Sequence, residues 1–169
     1  MKPYISQEQP DVMNKYPPEV QKFQQVAYCV RAEKVAKSRM EHAKILVSGL
    51  RAMSDIVKES RLRANYDIEE VKELEAMSDK FFETPFRLML SEMILTVSDE
   101  VLHYTLYNDE YVGRSALAHV NEFLGIINAI GSENVPEAIT EGGICSLFQK
   151  HKAFLEENLA FHYYSSFIL

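Results

Sequence analysis

The fold is decided by the stretch NDEYVGRSALAHV, residues 108–120, in which an acidic turn runs directly into Gly-Arg and a strongly apolar segment. This segment continues to about Ile130, and apolar residues cover most of the circumference of the helix that it predicts. A helix that is apolar on most sides is normally buried centrally among other helices. Since no strand-like alternation appears elsewhere, the sequence predicts an all-α fold built around this helix.

Polar residues interrupt the apolar surface of this helix at seven-residue intervals, at Arg114, Asn121 and Asn128. Seven residues are close to two helical turns, so these three should form one narrow row that faces solvent or a groove. Arg114 lies at the helix N-terminus, where the helix dipole favours anions rather than cations. Two interpretations of Arg114 stay open: a surface arginine with a packed stem, and a cation that binds a partner's carboxylate.

The composition is typical of a globular protein and argues against nucleic-acid binding. The 169 residues favour one domain, and the net charge of −7 argues against nucleic acid or an anionic membrane as the partner. Cys29 and Cys145 form no Cys-x-x-Cys pattern and are interpreted as free thiols in a reducing compartment. No apolar run approaches the ~18 residues of a membrane span. We therefore expect a cytoplasmic protein without evident membrane anchoring.

Helix-starting residues divide the first half of the chain. After an irregular lead-in over residues 1–16, Pro17-Pro18-Glu19 is a favourable helix start. The helical pattern then runs to about Arg63, so a break is expected at Ser38 or at Ser48-Gly49. Further starts are predicted at Asp67, for a helix ending near Phe82, and at Thr84-Pro85, for a helix from Phe86 to about Tyr107.

Turn residues divide the second half. The Asn108-Asp109-Glu110 turn precedes the helix from about Tyr111 to Ile130, and residues 131–136 form a loop. Pro136 opens a last helical region, which Gly142-Gly143 should kink or split before a helix from Ile144 to about Tyr164. The whole pattern predicts six to eight helices.

Three segments carry a family resemblance. The acidic turn and Gly-Arg within residues 106–114 resemble the first homology motif of the B-cell lymphoma two (Bcl-2) family of apoptosis regulators, especially its divergent viral-type members. Residues 154–159 resemble a segment of that family's sixth helix. The upstream residues that resemble the third homology motif are Leu46, Leu50, Met53, Ser54, Asp55 and Val57.

The resemblance implies a fold and a function. The fold would be a single Bcl-2-like helical domain over residues 1–169, with helices around a central buried helical hairpin. An elongated apolar groove would bind the amphipathic death-motif helix of pro-apoptotic proteins. An apoptosis inhibitor of viral type would sequester these partners in the host cytoplasm and reach the mitochondrial surface through them. A homodimer is left open.

The resemblance also assigns groove residues. Arg114 would pair with the ligand's aspartate, and Gly113 would let the ligand backbone approach closely. Asp109 belongs to the same site through the turn that precedes Gly-Arg. The apolar lining would come from Leu102, Leu106, Leu117 and, on the homology-three helix, Val57.

Other function classes have less support. Glu100-Val-Leu-His103 has the ligand spacing of di-iron bundles, but those sites need a second such pair, which the sequence lacks. There is no nucleophile elbow, phosphate-binding glycine loop or zinc spacing. We therefore expect no catalytic activity, metal or cofactor. The main rival is an all-helical interaction or oligomer-forming structural protein of another family.

Overall fold

A computed structural model describes residues 18–63, 65 and 67–168, so the lead-in predicted for residues 1–16 lies outside the described residues. Every regular element in the described part is helical, which confirms the all-α class. The chain divides between Leu88 and Met89 into two compact units, and the division falls within one helix, Thr84–Tyr107. The single-domain prediction stays a prediction, and the units are described separately.

The first unit begins with three helices whose starts follow local capping chemistry. These helices are α1 (Pro18–Glu33), α2 (Arg39–Leu62) and α3 (Ile68–Ser78). The Ser38 side chain accepts a hydrogen bond of 3.1 Å from the Glu41 amide, and the Asp67 carboxylate accepts one of 2.9 Å from the Glu69 amide. Both residues satisfy amides that a first helical turn leaves without partners. The predicted starts at Pro18, Ser38 and Asp67 are confirmed.

The predicted break at Ser48-Gly49 is wrong, because α2 continues through both residues. Gly49 instead serves a close packing contact with the buried ring of Phe82. A Cβ built on Gly49 would lie 2.6 Å from both Cδ1 and Cζ of that ring. Glycine therefore marks the point where the Phe82 ring lies against the α2 backbone.

A helix over Thr84–Tyr107 is confirmed, but the predicted cap and break before it are wrong, because Thr84 itself has helical backbone angles. A π turn over Asp79–Glu83 joins α3 directly to α4 (Thr84–Tyr107). In this wider turn the Thr84 amide donates to the carbonyl of Asp79, five residues back, so the backbone passes through Pro85 without ending the helix. Leaving one single-turn helix aside, the described part of the chain therefore contains five continuous helices, fewer than the predicted six to eight.

The apolar stripe that resembles the third homology motif is part of the protein's own core. Leu46 and Met53 on α2 are fully buried or nearly so, Val57 is buried, and Asp55 is exposed. In this unit α1 and α3 both pack against α2. Side-chain ion pairs join α1 to α2 through Lys22 and Glu59, and α2 to α3 through Arg61 and Glu75.

The second unit contains α4 from Met89 onward, α5 (Glu110–Ile130), a 3-10 turn (Ser132–Asn134), the single turn α6 (Glu137–Thr140) and α7 (Ile144–Ile168). The predicted limits of α5 are confirmed within a residue. Gly131, with φ 86°, ends α5, and Gly143, with φ 75°, separates α6 from α7. Left-handed backbone suits glycine, which explains both breaks.

Helix α5 contributes its apolar side to the core of the second unit. It packs against α7, where the rings of Phe123 and Phe148 lie 4.7 Å apart between centroids and both are fully buried. The predicted polar row is confirmed, since Arg114, Asn121 and Asn128 are all exposed. The central hairpin of the Bcl-2 arrangement stays a prediction.

Candidate functional site

The turn between α4 and α5 is held by side-chain hydrogen bonds. Asp109 caps α5, and its Oδ1 accepts hydrogen bonds from the amides of Tyr111 at 3.0 Å and Val112 at 3.3 Å. Asn108 has a φ of 52°, a left-handed conformation that asparagine tolerates. Its Oδ1 lies 2.9 Å from Nε2 of His162 on α7. The structure therefore uses Asp109 as a helix cap that fixes where α5 begins.

Arg114 lies on the exposed side of α5, one turn after this cap. Its side chain is 56% exposed, and both its Nε, at 3.1 Å, and its Nη2, at 2.7 Å, donate to Oε1 of Glu110. An exposed pair four residues apart on a helix stabilises by only about 0.3–0.5 kcal/mol. A partner's carboxylate can therefore replace Glu110 at small energetic cost.

Gly113 is buried, and the protein itself fills the space beside it. A Cβ built at Gly113 would lie 2.7 Å from Cδ2 and Cε2 of Tyr104 and 3.2 Å from Cδ2 of Leu159. The close approach at this glycine is thus made by side chains of α4 and α7. The family resemblance implies that a ligand backbone approaches Gly113, and in this conformation the Tyr104 ring occupies the position.

The Gly113→Ala variant is expected to lower the free energy of unfolding by about 1–3 kcal/mol, because the added methyl group overpacks a closed contact. Tyr104 is 2% exposed and cannot move aside without disturbing its neighbours. Chemical denaturation monitored by circular dichroism measures the change. Asn121→Ala, at an exposed position of the same helix, is the control and should change stability by less than about 0.5 kcal/mol. Equal stabilities for the two variants would show that the Gly113 contact is not tight.

Tyr104 connects α4 to α7 beneath the turn. Its ring lies 6.2 Å from that of Phe154 and 5.9 Å from that of His162, between centroids. Burial raises the pKa of the Tyr104 phenol, the charge of Glu110 raises this pKa further, and Arg114 opposes the rise. The phenol is therefore neutral at physiological pH. Its Oη has no hydrogen-bond partner among the described residues.

Glu100 and His103, which have the spacing of a di-iron ligand pair, make separate contacts. Glu100 Oε1 lies 2.7 Å from Nδ1 of His119 and so joins α4 to α5, whereas His103 lies 3.8 Å from Asp109 and beside the Tyr107 ring. Within the described residues, no group of three or more histidine, cysteine, aspartate or glutamate side chains could hold a metal ion.

Burial raises the pKa of the Cys29 thiol to about 12, which leaves this cysteine protonated and a poor nucleophile.

Helix α4 presents three large leucines on its exposed side: Leu95 is 64% exposed, Leu102 58% and Leu106 65%. We call these three residues the leucine row. The opposite side of the helix is buried through Val97, Val101 and Tyr104. The helix is therefore apolar on two sides, and the residues that the structure describes cover only one of them.

Six of the seven predicted site residues belong to the second unit, on α4, on α5 or in the turn between them. Leu102, Leu106 and Arg114 are exposed, and Leu117 is half-buried on α5. Val57 is buried on α2, in the first unit. Leu95 was missed by the sequence analysis, although it lies seven residues from both Leu88 and Leu102, a spacing that could have revealed it.

Comparison with known proteins gives no relative: no protein-family model, no curated protein and no solved structure matches this chain. Among the helices of the described residues, none combines the length and the apolar character that crossing a membrane requires. The leucine row and the Arg114 end of α5 therefore have to be interpreted from their own chemistry.

Proposed function

We propose that this protein binds an amphipathic helix of a partner protein along the leucine row and the first turns of α5. The exposure of Leu95, Leu102 and Leu106 on one face of α4 is the observation that carries this proposal. Full burial of an exposed leucine side chain contributes roughly 1.5–3 kcal/mol. Each of the three leucines has more than half of its surface left to cover, so covering all three provides a substantial part of that driving force. Anchors at helical spacing are the usual means by which a surface binds an amphipathic helix.

The family resemblance narrows the partner to pro-apoptotic proteins that carry a death-motif helix. Such a protein would inhibit apoptosis by sequestering that helix, without catalysis. Two structural features support this narrower proposal: Leu102 and Leu106 are exposed on α4, and Arg114 is exposed at the start of α5. An aspartate on the bound helix would then exchange with Glu110 for the Arg114 guanidinium.

The alternative is an oligomer-forming structural protein. The seven-residue spacing of Leu88, Leu95 and Leu102 favours it, because helices that associate with copies of themselves place leucine at this interval. Multi-angle light scattering separates the two functions. A large closed oligomer without peptide binding supports the alternative, whereas a monomer or dimer that binds a helical peptide supports the main proposal.

A panel of synthetic death-motif peptides tests the proposal directly. Titration of each peptide with the full chain, followed by fluorescence anisotropy, should find at least one dissociation constant below about 1 μM, equivalent to roughly −8.2 kcal/mol. A peptide whose apolar anchor residues are replaced by glutamate is the control. Failure of every peptide in the panel would remove the death-motif assignment.

The Arg114→Ala variant is expected to weaken binding of the best peptide by at least about tenfold, because an acidic residue of the peptide loses its charged partner. Unfolding stability should stay within about 0.5 kcal/mol of the parent, since the Arg114 side chain is exposed. Isothermal titration calorimetry and thermal denaturation measure the two quantities.

Glu110→Gln is the matched variant on the other side of the same pair. It removes the carboxylate that competes for Arg114 and should leave the affinity equal or higher. Unchanged affinity for Arg114→Ala would show that Arg114 takes no part in binding.

A further inference from the structure

Two acidic side chains lie within the exposed leucine face of α4. Glu92 and Asp99 are both exposed. At about 100° per residue, Glu92, Asp99 and the leucine row fall within a sector of roughly 80° on the helix. A helix that covers the leucines would therefore also lie against both carboxylates.

These two carboxylates differ from the other acidic side chains nearby. Glu100 is paired with His119, Glu110 is paired with Arg114, and Asp109 caps α5. Glu92 and Asp99, in contrast, make no ion pair with any residue that the structure describes. Their charge is available to an external partner.

The same charges oppose a second copy of this chain as the occupant. Two α4 helices crossing in antiparallel fashion about Leu95 would place Glu92 of one copy near Asp99 of the other. Parallel association in register would place each carboxylate near its own equivalent. Like charges directly opposed across an interface cost several kcal/mol, so the charge pattern favours a different protein.

We infer that the partner helix carries lysine or arginine beside its apolar anchors, placed to pair with Glu92 and Asp99. This inference rests on the proposed function and adds the charge of the partner to it. The expected ligand is an amphipathic helix with two basic positions facing α4 and an acidic position that reaches Arg114. Ion pairs at the edge of an interface mainly raise the association rate, select between partners and make binding depend on salt.

Two designed peptides of about 20 residues, long enough to form helix on the surface, test the inference. Both carry leucines at the seven- and four-residue intervals of the row and one aspartate for Arg114. One has lysine at the two positions facing Glu92 and Asp99, and the other has glutamate there. Anisotropy titrations at low and high salt compare them on the full chain and on the Glu92→Gln/Asp99→Asn double variant. Glu156→Gln/Glu157→Gln, at exposed positions of α7, removes the same charge elsewhere.

The lysine peptide should bind the parent chain at least about tenfold more tightly than the glutamate peptide at low salt, and the difference should shrink at high salt. The Glu92→Gln/Asp99→Asn variant should abolish this difference, and the α7 variant should keep it. Equal binding of both peptides to the parent would overturn the inference and leave helix binding intact. Failure of both peptides would overturn the proposed function and the inference with it. A dimer of the chain that Leu102→Glu dissociates would make a second copy the occupant and would also overturn the inference.

Discussion

Replacing Phe82 by alanine is expected to lower the free energy of unfolding by about 3–5 kcal/mol, the usual loss for a large aromatic side chain removed from a core. Phe82 is fully buried on the π turn, and its ring covers the Cα of Gly49 on α2. The variant leaves a cavity between these two elements that the α2 backbone cannot fill. Urea denaturation with circular dichroism measures the loss.

Two comparisons make this prediction specific. Phe81, the preceding residue, is exposed, so Phe81→Ala should cost far less than Phe82→Ala. Gly49→Ala should destabilise the parent chain but should be neutral or stabilising in the Phe82→Ala background, where its methyl group enters the vacated space. Additive effects of Gly49→Ala and Phe82→Ala would contradict the contact on which the prediction depends.

The Leu102→Glu variant is expected to weaken binding of the best death-motif peptide by at least about a hundredfold, or roughly 2.7 kcal/mol. Binding would bury a carboxylate where the parent buries a leucine, and an unpaired buried charge is costly. Since Leu102 is already mostly exposed, the fold should tolerate the change. Calorimetric titration gives the affinity, and thermal denaturation verifies the fold.

Leu62→Glu is the matched control for this prediction. Leu62 is an exposed leucine of α2, and its replacement makes the same chemical change at a residue outside the segments proposed to bind the partner helix. It should leave the affinity within about twofold of the parent, as expected for a surface change outside an interface. Equal losses for Leu102→Glu and Leu62→Glu would indicate nonspecific hydrophobic contact rather than a defined surface.

The helix starts that depend on local chemistry could be predicted from the sequence. Ser38, Asp67 and Asp109 each cap a helix by accepting hydrogen bonds from amides two or three residues later, and this chemistry is readable from neighbouring residues. The left-handed residues that separate α5, α6 and α7 are glycines, the residue type that tolerates this conformation.

The two wrong breaks have different causes. At Ser48-Gly49 the glycine packs against the ring of Phe82, a residue more than thirty positions later, and no local pattern reveals this contact. At Thr84-Pro85 a π turn shifts the Thr84 hydrogen bond by one residue and lets the helix pass the proline. Glycine and proline are typical of helix ends, so a single-sequence pattern places an end at both positions.

The candidate site also has one part that the sequence predicted and another that it did not. The exposed row that contains Arg114 followed from helical periodicity alone, because polar residues every seven positions share a face. Periodicity did not give the exposure of the α4 leucines, because α4 is apolar on two sides and the pattern cannot decide which side is covered. The family resemblance named Leu102 and Leu106 but not Leu95. The contacts of Tyr104 and Leu159 at Gly113 join three helices, and only the folded arrangement reveals them.

The central claim is that α4 and the beginning of α5 bind a partner helix. Nuclear magnetic resonance of the isotopically labelled chain, titrated with the tightest-binding death-motif peptide, tests it most directly. We predict that the largest amide shift changes fall on α4 from Glu92 to Tyr107 and on the first two turns of α5, with little change on α1. Shift changes concentrated elsewhere, or none at saturating peptide, would contradict the account.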